Sequence, residues 1–372
     1  MLIQEKNGSF FRFFVPAALV FCSYLILRLI SILVYVITIP FITIEEGSTT
    51  YLLLLSLFHI LVILIILFVF IPYFKVKNDG YQPFNIQNTI KTFLLSCIGL
   101  YLGILSTLVL ASLLIPVFGF PQNPTDFLLK RMDSLTPIYI IVGFILMAVL
   151  IPLWEELTFR RLLIPLLEEG GLSPLLAVLA SSLMFAFGHV SFWITNGNLT
   201  TLLIQLPKVF LFGLILGFIY IDTRNVSYSV LAHGIANGLG FIPLALIYLN
   251  NETLNIIFEL IYGLILLLGL IMSIIIGIYT WKNYNDQNFS ILRIKTTNSI
   301  RDVFRLTLIF VGLIAIDIIA SIGLKIFISD QILRNQISLF PGTILLAVLL
   351  WLVKSKADYT EVRRFEATLF DN

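Results

Sequence analysis

Charge is scarce in this sequence. Only 12% of its 372 residues are Asp, Glu, Lys or Arg, about half the roughly 25% usual in soluble domains. That shortage argues against an ordinary water-facing surface. A net charge of +2 is too small for the basic face that nucleic-acid binding uses. Cysteine is scarcer still. Cys22 and Cys97 sit in apolar runs far apart in the chain, which points to core packing rather than to a disulfide or a metal motif. Histidine occurs only three times. Internal repeats, low-complexity tracts and loops long enough to form a soluble domain are also missing.

Apolar side chains fill the space instead, at 59% of residues and a mean hydropathy of +1.02. Runs of about 20 apolar residues are long enough to cross a roughly 30 Å hydrocarbon core as helices. The short alternating segments of a membrane barrel are absent. The sequence therefore predicts an all-α, polytopic transmembrane helix bundle in the lipid bilayer of the cell membrane. Ten apolar segments are expected, near 13–41, 51–74, 93–118, 137–167, 173–193, 201–222, 227–249, 254–281, 303–328 and 337–353. They group as N-terminal transmembrane helices over 1–136, a core over 137–250, and C-terminal transmembrane helices with a cytoplasmic tail over 251–372. Lys and Arg favour alternate loops, at Lys75, Lys77, Arg224 and Arg293 among others, while 42–50, 194–200 and 250–253 have none. By the positive-inside rule both termini are then cytoplasmic. The polar stretch 79–92 reads as interfacial.

An ionisable residue inside a bilayer is expensive, so each one is a functional candidate. Three clusters stand out. The first is Trp154-Glu155-Glu156-Leu157-Thr158-Phe159-Arg160-Arg161. Glu156 and Arg160, four apart, share a helix face and can pair. Glu155 is turned by about 100° from that face and stays available for proton transfer. The bland reading is a juxtamembrane anchor, and the cluster alone supports both equally. The second cluster is Phe185-Ala186-Phe187-Gly188-His189, in which ring and imidazole share a face; a lone membrane histidine often only bonds a neighbouring helix. The third is His233-Gly234-Ile235-Ala236-Asn237, where imidazole and carboxamide share a face amid small residues that also suit a packing seam.

Depth ties the clusters together. Glu155 and His189 each lie 17 residues from Leu172, in the turn Gly170-Gly171-Leu172-Ser173, so they sit at matching heights on antiparallel helices. His233 and Asn237 lie 8 and 12 residues beyond Asn225, roughly 12–18 Å into the next hairpin. All three clusters thus reach a similar level in the cytoplasmic half.

Glu-Glu-x-x-x-Arg, Phe-x-x-x-His and His-x-x-x-Asn on successive apolar helices resemble the motifs of the type II CAAX prenyl endopeptidase group. That group also includes the Abi and bacteriocin-processing intramembrane proteases. Phe159-Arg160, and Gly213 to Tyr220 leading into the third motif, extend the resemblance, which covers about 137–250. It implies an eight-helix core with a cavity, to which this chain adds further helices. It implies that Glu155 with His189 activates a water for peptide-bond attack, that His233 and Asn237 stabilise the oxyanion, and that Glu156 and Arg160 support the site. No cofactor is expected. Zinc is the possible exception, with Glu155, His189 and His233 as its ligands, although His-Glu-x-x-His is absent. Arg161 departs from the group, standing where a small residue commonly follows.

The resulting expectation is an intramembrane endopeptidase acting on a membrane-associated peptide or protein. The Ile-, Leu-, Asn- and Lys-rich composition suggests a bacterial chain that processes a bacteriocin-like precursor. The competing reading is a catalytically silent scaffold or bacteriocin-immunity protein, with the terminal helices available to a protein partner. A proton-coupled transporter would show paired repeats with broken helices, and none is visible. His59 is expected to hydrogen-bond within the bundle, and Asp317 and Lys325 to line an interior contact.

Overall fold

The computed structural model describes residues 16–23, 25–26, 29, 49–74, 76, 81–121, 136–190, 199–249, 252–283 and 302–315. The expected segments 13–41 and 303–328 are thus described in part. Segment 337–353, Asp317, Lys325, and the charged loop positions Lys75, Lys77 and Arg293 lie outside the described residues.

Seven helices organise the described chain: α1 Thr49–Tyr73, α2 Ile86–Phe118, α3 Pro137–Glu169, α4 Pro174–Gly188, α5 Leu199–Thr223, α6 Val226–Leu249 and α7 Glu252–Asn283. Further helical turns cover 16–23 and 302–315, and no strand occurs among the described residues. Helices α1, α2, α3, α5 and α7 are each long and apolar enough to cross a membrane. The molecule is an all-α polytopic bundle. Cys22 and Cys97 are free, buried thiols. His59 Nδ1 lies 2.8 Å from the Leu55 carbonyl, as expected, with its ring edge-on to Trp154.

Two helices widen where proline approaches. Residues 66–70 in α1, and 146–150 and 157–163 in α3, are π-helical. Each ends two residues before a proline: Pro72, Pro152 and Pro165. A helical proline has no N–H for the carbonyl four residues back, and its ring clashes there. Shifting the ladder to i→i−5 just before the ring relieves that crowding. The Ile151 N–H accordingly bonds the Leu146 carbonyl, and the Ile71 N–H bonds the Ile66 carbonyl. The two widened turns in α3 flank Glu155 and Glu156.

The turns α3–α4 and α5–α6 meet at one end of the bundle. Arg224 ends α5 in a left-handed conformation, φ 50°, and forks onto Glu168 at the tip of α3 with contacts of 2.5 and 2.8 Å. Residues 81–85 strap across the same end. The Gln82 N–H donates to the Thr223 carbonyl, Asn225 Nδ2 donates to the Gln82 carbonyl, and Phe84 stacks on Tyr228. The stretch read as interfacial is therefore split. Residues 81–85 are tied to the α5–α6 turn, and 86–92 form the first turns of α2.

Small residues set the helix spacing. A Cβ at Gly217 of α5 would lie 2.6 Å from Val178 Cγ1 of α4, and one at Gly234 of α6 would lie 2.5 Å from the Ala148 carbonyl oxygen of α3. Neither neighbour is a flexible chain end. Gly217→Ala should destabilise the protein by about 1–3 kcal/mol through overpacking. Gly240→Ala, with open space around it, should not. Thermal unfolding of both variants in detergent micelles tests this, and equal midpoints would contradict the packing account.

Candidate active site

The site forms where α3, α4 and α6 face one another beneath α5. Helix α6 runs antiparallel to α3, so His233 sits opposite Glu155 and Glu156 while Phe241 sits opposite Phe144 and Gly143. His189 follows the last residue of α4, its backbone N–H on the Ala186 carbonyl.

Glu155 lies between two imidazoles. Its Oε1 is 3.5 Å from His189 Nε2, and its Oε2 is 3.5 Å from His233 Nε2. The other ring nitrogens are held from behind. His189 Nδ1 is 2.8 Å from the Phe185 carbonyl, and His233 Nδ1 is 2.9 Å from Glu156 Oε1. Glu156 in turn pairs with Arg160, Oε2 to Nε 3.2 Å, both side chains wholly buried. Arg160 also donates from Nη2 to the Gly213 carbonyl at 3.0 Å, and its guanidinium lies 4.6 Å from the Phe185 ring centre.

Aromatic edges frame the cluster. Phe185 packs against Phe159, His189 and His233, and Phe212 packs against the far side of His233. The His189 side chain is 26% exposed against 5% for Glu155, so the His189 side is the open one.

Asn237 lies one turn beyond His233. Its Nδ2 donates to the Met147 carbonyl at 3.0 Å. In the π-helical ladder that carbonyl would accept from residue 152, five ahead, and Pro152 has no N–H. The carboxamide therefore supplies the missing donor and leaves its second N–H for other use.

The geometry thus brings Glu155, Glu156, Arg160, His189 and His233 into one cluster, and sets Asn237 beside it on a backbone partner. Among the described residues, no group of three or more His, Cys, Asp or Glu is arranged to hold a metal ion. The Gly213 carbonyl and Phe212 were not foreseen from the sequence. Gly213 was visible as one end of a Gly-x-x-x-Gly pair. Nothing in the local pattern marked Phe212. Arg161 reaches away from the cluster, with Nη2 3.2 Å from the Val76 carbonyl.

Arg160→Met should cost about 3–5 kcal/mol, because it strands the buried Glu156 charge. Combining it with Glu156→Leu should recover much of that loss, since an apolar replacement of a whole buried pair is often neutral. Denaturation of both variants in micelles measures the difference, and wild-type stability of Arg160→Met alone would refute it.

Comparison with known proteins agrees with the motif pattern. Residues 137–239 match the family model described as Type II CAAX prenyl endopeptidase Rce1-like. A relative, "Probable CAAX prenyl protease 2" of Schizosaccharomyces pombe, is 29% identical over 145 residues, covering 36% of this chain and 52% of that protein. The chain thus spans about half the length of the curated relative it matches. No solved structure gives a significant match. The segment 137–239, which holds every residue of the cluster, is thus similar to the Rce1-like type II CAAX prenyl endopeptidases.

Proposed function

We propose that this chain is an intramembrane endopeptidase that hydrolyses a peptide bond of a membrane-associated peptide or protein. The observation that carries the reading is the Glu155 carboxylate flanked by two Nε2 atoms at 3.5 Å each. A carboxylate so placed can take a proton from a water held between it and His189, and a general base of this kind contributes roughly 10²–10⁴ in rate. His233 and the second N–H of Asn237 then face the carbonyl oxygen as charge develops on it. Glu156 and Arg160 hold His233 in place. The reading uses no cofactor. Were zinc to bind, Glu155, His189 and His233 would be its ligands, and the metal would supply Lewis-acid activation of water.

As substrate we put forward a small peptide precursor of the bacteriocin or pheromone kind, ahead of a prenylated tail. The preference rests on composition, whereas the curated relative is fungal and is named for prenyl-protein processing. The chain's Ile-, Leu-, Asn- and Lys-rich composition supports a bacterial cell membrane, and the Lys and Arg bias supports cytoplasmic termini. The segments outside 137–250 are assigned to substrate or partner contact.

Glu155→Ala and Glu155→Gln, expressed in a strain lacking the protein, should both lose at least about 100-fold in precursor cleavage. Full complementation by both variants would instead favour a scaffold. Metal analysis of the purified protein separates the two water-activating routes. Stoichiometric zinc whose removal abolishes cleavage would overturn the carboxylate route.

A further inference from the structure

The two nitrogens of His233 have different kinds of neighbour, and the neighbour of Nδ1 bears on which nitrogen carries the hydrogen. Nδ1 lies 2.9 Å from Glu156 Oε1. Glu156 also pairs with the Arg160 guanidinium, which keeps its charge in proteins. A wholly buried guanidinium requires a counter-charge, so Glu156, its ion-pair partner, is read as a carboxylate that can only accept. The hydrogen between Glu156 and His233 therefore belongs to Nδ1. In a neutral imidazole the other nitrogen is then a bare lone pair. That nitrogen, Nε2, points at Glu155 Oε2 at 3.5 Å.

We propose that Glu156, held by Arg160, is a positioning residue that locks His233 in its Nδ1–H tautomer, so that Nε2 enters the reaction as an acceptor and becomes a donor only during it. The inference rests on the peptidase reading for its consequence, but not for its geometry. The other groups facing the pair are fixed: His189 from the end of α4, the Phe185 ring, and the Phe212 ring from α5. The rings pack edge-on at 5.8 and 5.7 Å, so turning the imidazole over would have to displace them.

The lock gives the reaction an order. As water attacks, its oxygen bonds the carbonyl carbon, the C=O π pair moves to oxygen, and one water proton goes to Glu155. Glu155 passes a proton across to His233 Nε2, which then presents an N–H to the new oxyanion. When the C–N bond breaks, the oxyanion re-forms C=O and the departing amine nitrogen takes a proton back from Nε2. Glu155 and His233 finish as they began. The oxyanion donor is thus made by the step that needs it, and a substrate carbonyl meets no N–H at Nε2 beforehand.

The test reads the tautomer directly. With three histidines in the chain, selective ¹⁵N-histidine labelling of the intact protein in micelles gives a small set of signals, and His59→Gln and His189→Gln leave His233 assignable. Nδ1–H and Nε2–H imidazoles differ clearly in their paired nitrogen shifts. The wild-type His233 is expected to carry its hydrogen on Nδ1. Glu155→Gln, which leaves the Glu156–Arg160 pair intact, is expected to preserve it. Glu156→Gln is expected to lose the single-tautomer signature; if it does not fold, the Glu155→Gln spectrum still decides. A His233 with hydrogen on Nε2, whether neutral or as the doubly protonated imidazolium, in the wild type or in Glu155→Gln, overturns the proposal. Neither outcome depends on turnover. A locked His233 in a protein whose Glu155 variants complement fully would remove the peptidase reading and leave the lock standing.

Discussion

A guanidinium buried with no exposed surface is the constraint from which the rest of the site follows. Arg160 cannot shed its charge, and leaving it unpaired in a low-dielectric interior would cost several kcal/mol. Its partners therefore come from three helices: the Glu156 carboxylate on α3, the Phe185 ring on α4 and the Gly213 carbonyl on α5. Meeting the needs of one cation draws those helices together at one level. Glu156, paired with that cation, then meets His233 Nδ1 and brings α6 to the same place.

That convergence needs close approach, and the small residues provide it. A Cβ at Gly213 would lie 3.1 Å from Phe185 Cδ1 and 3.3 Å from Ser182 Cβ, so a larger residue there would push the carbonyl away from Arg160. Gly234 lets α6 lie against the α3 backbone at Ala148, one position from His233. The prolines act in the opposite sense. Pro152 and Pro165 loosen the α3 ladder on either side of Glu155 and Glu156, and the carbonyl left without a donor at Met147 is filled by Asn237 from α6. A helix that would otherwise be uniform gains two defects, and the first becomes an attachment point for the opposing helix.

Much of this was legible in the sequence, because few polar residues in an apolar chain are easy to see and helical spacing says which share a face. The pairing of Glu156 with Arg160 follows from four-residue spacing. The height match of Glu155 and His189 follows from their equal distance to one turn. The path of Asn237 was not legible, since it answers a carbonyl 90 residues away whose need arises from a proline. Nor was the Gly213 carbonyl, because backbone acceptors carry no sequence mark. The widened turns had a signal in Pro72, Pro152 and Pro165. A proline in an apolar helix, however, announces only that something must change, and the π shift is one of several ways to change it. The helix start at Ile86 was set by Asn85, whose side chain caps Asn88, and the polar character of 86–92 concealed it.

Adjacent carboxylates in a bilayer look redundant until the imidazole is placed between them. On a helix, neighbouring residues point about 100° apart, too far to share a face. An imidazole has two nitrogens on opposite sides of its ring. His233 fits that geometry: Glu156 meets Nδ1 at 2.9 Å and Glu155 meets Nε2 at 3.5 Å. The shorter contact belongs to the carboxylate anchored by Arg160, and the longer to the one shared with His189. In the proposed mechanism one residue of the pair is thereby committed to structure, and the other is left to exchange a proton. Two chemically identical side chains acquire different work from one bond of separation in the chain, because the ring opposite them is asymmetric once Arg160 has chosen its partner.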